Sequence, residues 1–183
     1  MDLERRRYET FEELRAYCYG VASVVGLICV QVFGYKDPRA RECAVDLGLA
    51  MQLTNILRDI QEDAARGRIY LPQEEMERFG YTNDELLHGV VNARFQELMR
   101  FQVARARHYF ESGKRLLPLL PLTSRACPSI LGGIYSRSLN RIEARDYDVF
   151  ASRVSLSTQE KLLLVTRLWL QSLIPLARIA TAW

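Results

Sequence analysis

QLTNILRDIQED, residues 52–63, decides how the rest of this chain is read. At helical spacing it places Gln52, Asn55, Asp59 and Asp63 at i, i+3, i+7 and i+11, within roughly 80° of one another around the axis. Leu49, Met51, Leu53, Ile56, Leu57 and Ile60 surround them, so an apolar helix carries one polar stripe. Asp59 and Asp63 lie one turn plus about 40° apart and can converge on one cation. Magnesium takes a few carboxylates and keeps waters and phosphate oxygens, so the pair suits a metal-bridged diphosphate. Asn55 and Gln52 can touch metal or phosphate, and Arg58, Arg66 and Arg68 can pair with phosphate. The residues alone leave a second reading open, in which the stripe is a solvated face whose aspartates pair with nearby arginines. Against it, amides on a face flanked by apolar residues need partners if they are buried.

The chain has 183 residues, 49% apolar and 26% charged. That composition is expected of a single folded domain, long enough to bury a core. The net charge of +3 (25 basic less 22 acidic) offers no basic field for nucleic acid. The run Arg5–Arg7 reads as a solvated first turn. Cys18, Cys29, Cys43 and Cys127 form no CxxC pair and only two histidines accompany them, which argues against zinc. Three of the cysteines sit in apolar helical surroundings and read as small core residues of a reducing compartment. The N-terminal MDLERRRYETFEEL is charged throughout and has no signal-peptide pattern.

Almost everything else predicts helix, near 11–33, 38–64, 73–79, 83–88, 91–120, 126–148 and 158–174. Thr10…Glu13, Thr82…Glu85 and Ser157…Glu160 have the form of capping boxes. Asp37-Pro38 is an N-cap followed by proline, Pro128 is placed at N1 of another helix, and Gly34, Gly67 and Gly80 stand where helices stop. No segment alternates with period two, so an all-α chain is expected. ARGRIYLPQE (65–74) reads as a loop. The C-terminal LLLVTRLWLQSLIPLARIATAW (162–183) is apolar on more than one side, which leaves core, subunit contact and membrane-surface contact open. Its longest uncharged run, Leu168 to Ala177, is too short to span a bilayer. In YCYGVASVVG (17–26), Tyr17, Val21 and Val25 share a face at helical spacing, beside Gly20, Ala22, Ser23 and Gly26. That face suits either close helix packing or the wall of an apolar tunnel with a phenol at its mouth.

Three stretches in this order carry a family resemblance. QLTNILRDIQEDAARGRIYLP (52–72) resembles the second aspartate-rich motif and trailing loop of the squalene/phytoene synthase family. RYETFEELRAYCYGVASVVG (7–26) resembles its tyrosine helix, and IYSRSLNRIEARDYDVFASRVSLSTQEKL (134–162) its C-terminal helices. The resemblance covers roughly residues 1–170. It implies an all-α bundle of the isoprenoid synthase type and head-to-head joining of two prenyl diphosphates through a cyclopropyl diphosphate, with magnesium. It further implies Asp59 and Asp63, with Asn55, as Mg²⁺ ligands, Gln52 beside them at the diphosphate, and Tyr17 as an active-site tyrosine and candidate proton handler. Tyr135 and Arg153 would lie close to a diphosphate, and Val21, Ala22 and Val25 would line the prenyl tunnel. Ionising an allylic diphosphate needs its leaving charge neutralised, and the cation then needs an apolar, water-free cavity with aromatic faces.

The family faces two aspartate motifs across the cavity, and the first has no counterpart here. The resemblance therefore implies the C-terminal part of a longer enzyme, lacking roughly the first hundred residues. Little or no turnover is expected of the chain alone, together with exposed apolar surface and self-association. A class I terpene cyclase and a non-catalytic prenyl diphosphate-binding fragment are the competing readings. The choice between C15 and C20 substrates, and between a reductive NADPH step and none, stays open. The expected location is cytoplasmic, with peripheral membrane contact compatible with lipid products.

Overall fold

A computed structural model describes residues 6–172. The helices in chain order are α1 (Phe11–Cys18), a π-helical turn (Tyr19–Ser23), α2 (Val24–Phe33), α3 (Arg39–Arg58), α4 (Ile60–Ala65), α5 (Gln73–Arg78), α6 (Asn83–Leu87), α7 (Ala93–Lys114), α8 (Ala126–Glu143) and α9 (Thr158–Ser172). There is no strand among the described residues. α3 is the axis: it packs on α7 along one side, on the π turn and α2 along another, and on α8 along a third. Its alanines, leucines and Gly48 are buried accordingly.

Glycines set how closely these helices approach. A Cβ on Gly48 would fall 2.8 Å from the Ser23 Cα, and one on Gly113 would fall 2.9 Å from the Leu47 Cα. Ser23 is buried there and donates to the Val45 carbonyl at 2.9 Å.

The predicted 11–33 helix is continuous but not regular. The π turn adds one residue, so the buried face runs Leu14, Cys18, Ser23, Val30, with a five-residue step in place of four. By length and composition alone this helix, with mean hydropathy 1.8, could cross a membrane. Here its small-residue face lies against α3 and its other face, including Val24, Ile28 and Val32, is exposed.

The predicted 38–64 helix bends at Asp59 (φ −104°, ψ 15°), yet Asp59 N–H still donates to Asn55 O and Asp63 N–H to Asp59 O, both at 2.9 Å. The helix predicted to reach residue 120 ends at Lys114, and two short 3-10 turns follow around Pro118 and Pro121. α8 stops at Glu143, ahead of left-handed backbone at Asp146 and Tyr147. The last two residues of the predicted 158–174 helix, and half of the apolar C-terminal stretch, lie outside the described residues.

Thr82–Glu85 and Ser157–Glu160 form reciprocal capping boxes. At Thr10 the hydroxyl caps Glu13 N–H, but the Glu13 carboxylate reaches Glu9 N–H instead of Thr10. Pro128 takes the third position of α8, not the first. Gly34 ends α2 with φ 73°, backbone that a side chain rarely adopts. Arg6 and Arg7 precede α1 in a non-helical segment, not a first turn: Arg6 O and Tyr8 O accept from Ile69 N–H and Gln73 N–H at 3.0 and 2.9 Å. Arg5 lies outside the described residues. A buried clasp of Glu75, Gln102 and Arg105 ties α5 to α7, with the Arg105 guanidinium over the Phe11 ring.

Candidate active site

At the C-terminal end of α3 the polar stripe is partly covered rather than fully solvated. Gln52, Asn55, Arg58, Asp59, Glu62 and Asp63 are all half-buried. Arg58 grips Asp59 with two hydrogen bonds, from Nε at 2.8 Å and from Nη2 at 2.5 Å. The Asp59 hydrogen bonds, against the opposing effect of burial, hold Arg58 charged; the Glu62 carboxylate adds to this, and Tyr135 lies nearby. Arg153 reaches in from a segment 94 positions away in sequence, its Nη2 3.7 Å from Asp59 Oδ1 and its Nε 3.2 Å from Glu62 Oε1. Asn55 donates to Gln52 Oε1 at 3.4 Å.

Arg153 rides on the connector between α8 and α9. Arg145 donates to the Ser152 carbonyl at 3.0 Å, Arg141 donates to the Ser155 carbonyl, and Val154 is fully buried between them. The connector thus places the guanidinium over the end of α3.

Asp63 is one turn further on. Burial first, and the Asp59 charge second, push its carboxyl up to about 6, while Arg66 and Arg68 pull it back. Beside it a small cleft is lined by Ile56, Ile60, Arg68 and Tyr70. Tyr70 in turn stacks on Tyr17 and Tyr8, with centroids 5.4 and 5.7 Å away. Tyr17 is therefore buried in an aromatic trio, one ring removed from the Asp63 cleft, and not at an open mouth.

An apolar groove with about 500 Å³ of empty space, counting the part open to solvent, lies between α2, α3 and the start of α8. Ala22 and Val25 line it; Val21, inside the π turn, does not. Met51, at one end of the groove, is one turn from Asn55 and two turns from Asp59 along α3. Phe33 and Pro128 stand at the other end.

The residues suit a divalent cation in part. Two neighbouring carboxylates, one pushed toward neutrality, would gain from a cation between them, and Asn55 adds an amide oxygen. Among the described residues no group of three or more His, Cys, Asp or Glu converges to hold a metal. The chain thus offers one or two carboxylates, which matches magnesium that keeps water and substrate phosphate.

Glu62, three residues after Asp59, reads in the sequence only as a charged neighbour; the fold joins it to Arg153. Tyr8 and Tyr70 carried no sequence signal beyond their type; only the packing brings them to Tyr17.

The helical bundle, with its arginine–carboxylate pole in line with an apolar groove, has the isoprenoid synthase-type fold of solved squalene and dehydrosqualene synthases. The crystal structure of a dehydrosqualene synthase in complex with ligand superposes with a TM-score of 0.84 at 32% identity, over 94% of this chain and 62% of that one. The squalene synthase HpnC from Alicyclobacillus acidocaldarius superposes with a TM-score of 0.77 at 29% identity, over 80% of this chain and 56% of that one.

The chain belongs to the squalene/phytoene synthase family, which it matches over residues 1–160. A 15-cis-phytoene synthase of Synechocystis sp. is 45% identical over 94% of this chain and 55% of the relative. Phytoene synthase 3, chloroplastic, of Zea mays is 43% identical over 95% of this chain and 42% of the relative. The chain thus spans about half the length of the relatives it matches.

Proposed function

We infer that this chain provides a metal–diphosphate pole and part of a prenyl tunnel in an enzyme that joins two prenyl diphosphates head to head, with phytoene as the end product. The observation that carries the reading is the alignment of the pole and the apolar groove along a single helix. Asp59, Asp63 and Asn55 would hold magnesium, which when bound supplies charge to offset the departing diphosphate. Arg58 and Arg153, already poised on carboxylates, bind phosphate oxygens, with Gln52 and Tyr135 beside them. The Tyr17 phenol, stacked on the Tyr70 ring that borders the Asp63 cleft, is the candidate proton handler. Ala22 and Val25 keep water from the prenyl chain, and Val21 lies outside the wall.

The phytoene synthases among the relatives support the C20 substrate.

The deciding experiment gives the purified chain Mg²⁺ with C15 and C20 prenyl diphosphates separately, and measures binding of a geranylgeranyl thiolodiphosphate in parallel. Mg²⁺-dependent binding, weakened by Asp59→Ala and by Arg153→Ala, is expected, with any turnover giving a C40 product from C20. Binding indifferent to Mg²⁺ and to both substitutions would overturn the reading, and a cyclic hydrocarbon from one diphosphate would replace it with a terpene cyclase.

A further inference from the structure

Four cysteines are free, and two of them share one cavity. Cys29 on α2 and Cys127 in the first turn of α8 both line the apolar groove. The other two stand apart. Cys18 is fully buried, its thiol pushed up to about 12 by that burial, and Cys43 borders a separate polar cavity with Arg39, Asp46 and Arg115.

The chain path brings the groove pair to one level. Ser124, just before α8, donates to the Phe33 carbonyl at 3.2 Å, and Phe33 is one turn beyond Cys29 on α2. Cys29 is near enough for its charge to push the Cys127 thiol up, second to the effect of burial. Cys127 is exposed and Cys29 half-exposed, so a small reagent has access to both.

We propose that Cys29 and Cys127 form a reversible oxidation site, in which exchange with a low-molecular-weight disulfide links them, staples α2 to α8 and closes the groove to a prenyl chain. The Cys127 thiolate attacks one sulfur of the small disulfide and releases one thiol, leaving a mixed disulfide. The Cys29 thiolate then attacks the Cys127 sulfur and releases the second thiol. The protein thiols give up two protons and two electrons, and the small disulfide takes them as two thiols. Because the thiolate is the nucleophile and the Cys127 thiol is pushed up, linkage quickens as pH rises. Closure of the groove rests on the prenyl reading above; the linkage itself does not.

The test incubates the reduced 183-residue chain with oxidised glutathione, traps free thiols with N-ethylmaleimide and maps the peptides by mass spectrometry. A Cys29–Cys127 linked peptide is expected, with Cys18 and Cys43 trapped as free thiols. Cys29→Ser and Cys127→Ser should each remove the linked peptide and leave a glutathione adduct on the remaining groove cysteine. The wild-type peptide decides the matter even if a variant folds poorly. A glutathione adduct on wild-type Cys127 with no Cys29–Cys127 linkage overturns the proposal. In a second arm, the oxidised chain should bind geranylgeranyl thiolodiphosphate at least about tenfold more weakly than the reduced chain, with dithiothreitol restoring binding. Undiminished binding by fully linked protein overturns the closure. A reduced chain that does not bind the analogue counts against the prenyl reading, and the linked peptide still decides the site.

Discussion

Asp63 is held half-buried beside Asp59, with its carboxyl pushed up to about 6 from an ordinary value of 3.8. Folding therefore favours the protonated acid. The stability this group contributes is fully present below its unfolded value and is lost as pH rises through about 6. Asp63→Asn keeps the shape and removes the titration. Its thermal stability should match the wild type at about pH 4 and exceed it at about pH 7.5 by on the order of 1 kcal/mol, once solvent screening of a partly exposed group is allowed for. The same variant should lose Mg²⁺-dependent binding of the prenyl analogue. Equal melting at both pH values would show that the carboxylate pays no penalty for its position. The sequence showed Asp63 as one of a pair, but not that burial would separate it from Asp59, which is held by Arg58 and approached by Arg153.

At the scale of elements, the helix from Phe11 to Phe33 illustrates what spacing can and cannot reveal. Its existence and length follow from an apolar run with a Thr10 cap and a glycine stop. The inserted residue of the π turn does not, because a bulge of one residue leaves composition and hydropathy unchanged while putting Ser23, not Ala22, on the buried face after Cys18. Deleting Gly20, whose added Cβ would meet nothing within 4 Å, should restore regular α-helix with Leu14, Cys18 and Ser23 still aligned. We expect that deletion to change stability by less than about 1 kcal/mol. Gly48→Ala should cost about 1–3 kcal/mol, because its Cβ meets the Ser23 backbone and not a yielding side chain. Denaturant unfolding of the two variants compares them directly, and a deletion costlier than Gly48→Ala would show that the π turn itself is required.

For the whole molecule, the helical class, most helix limits and the acidic stripe were legible locally, since each depends on residues within a few turns. The assembly of the site was legible only through family resemblance. Arg153 and Asp59 are 94 positions apart, and nothing in either neighbourhood specifies the other. The outward face of α2 belongs to this scale too: Val24, Val25, Ile28 and Val32 are exposed together, next to Leu131 at the groove. Contiguous apolar surface of this kind drives association. The isolated chain should bind an apolar-surface dye and elute ahead of a monomer in size-exclusion chromatography. Ile28→Glu with Val32→Lys should reduce both signals with helicity retained, whereas a monomeric, dye-silent wild type would mean that this face is covered in solution.

The pinned connector between α8 and α9 has a further effect. With Ser152 and Ser155 each fastened to an arginine of the α8 end and Val154 buried between them, the backbone around Arg153 has no slack. The outer cation of the pole is positioned by chain length as much as by attraction. An insertion or deletion of one residue there would shift the charge while leaving every side chain of the pole intact, so this short stretch should tolerate substitution far better than any change in its length.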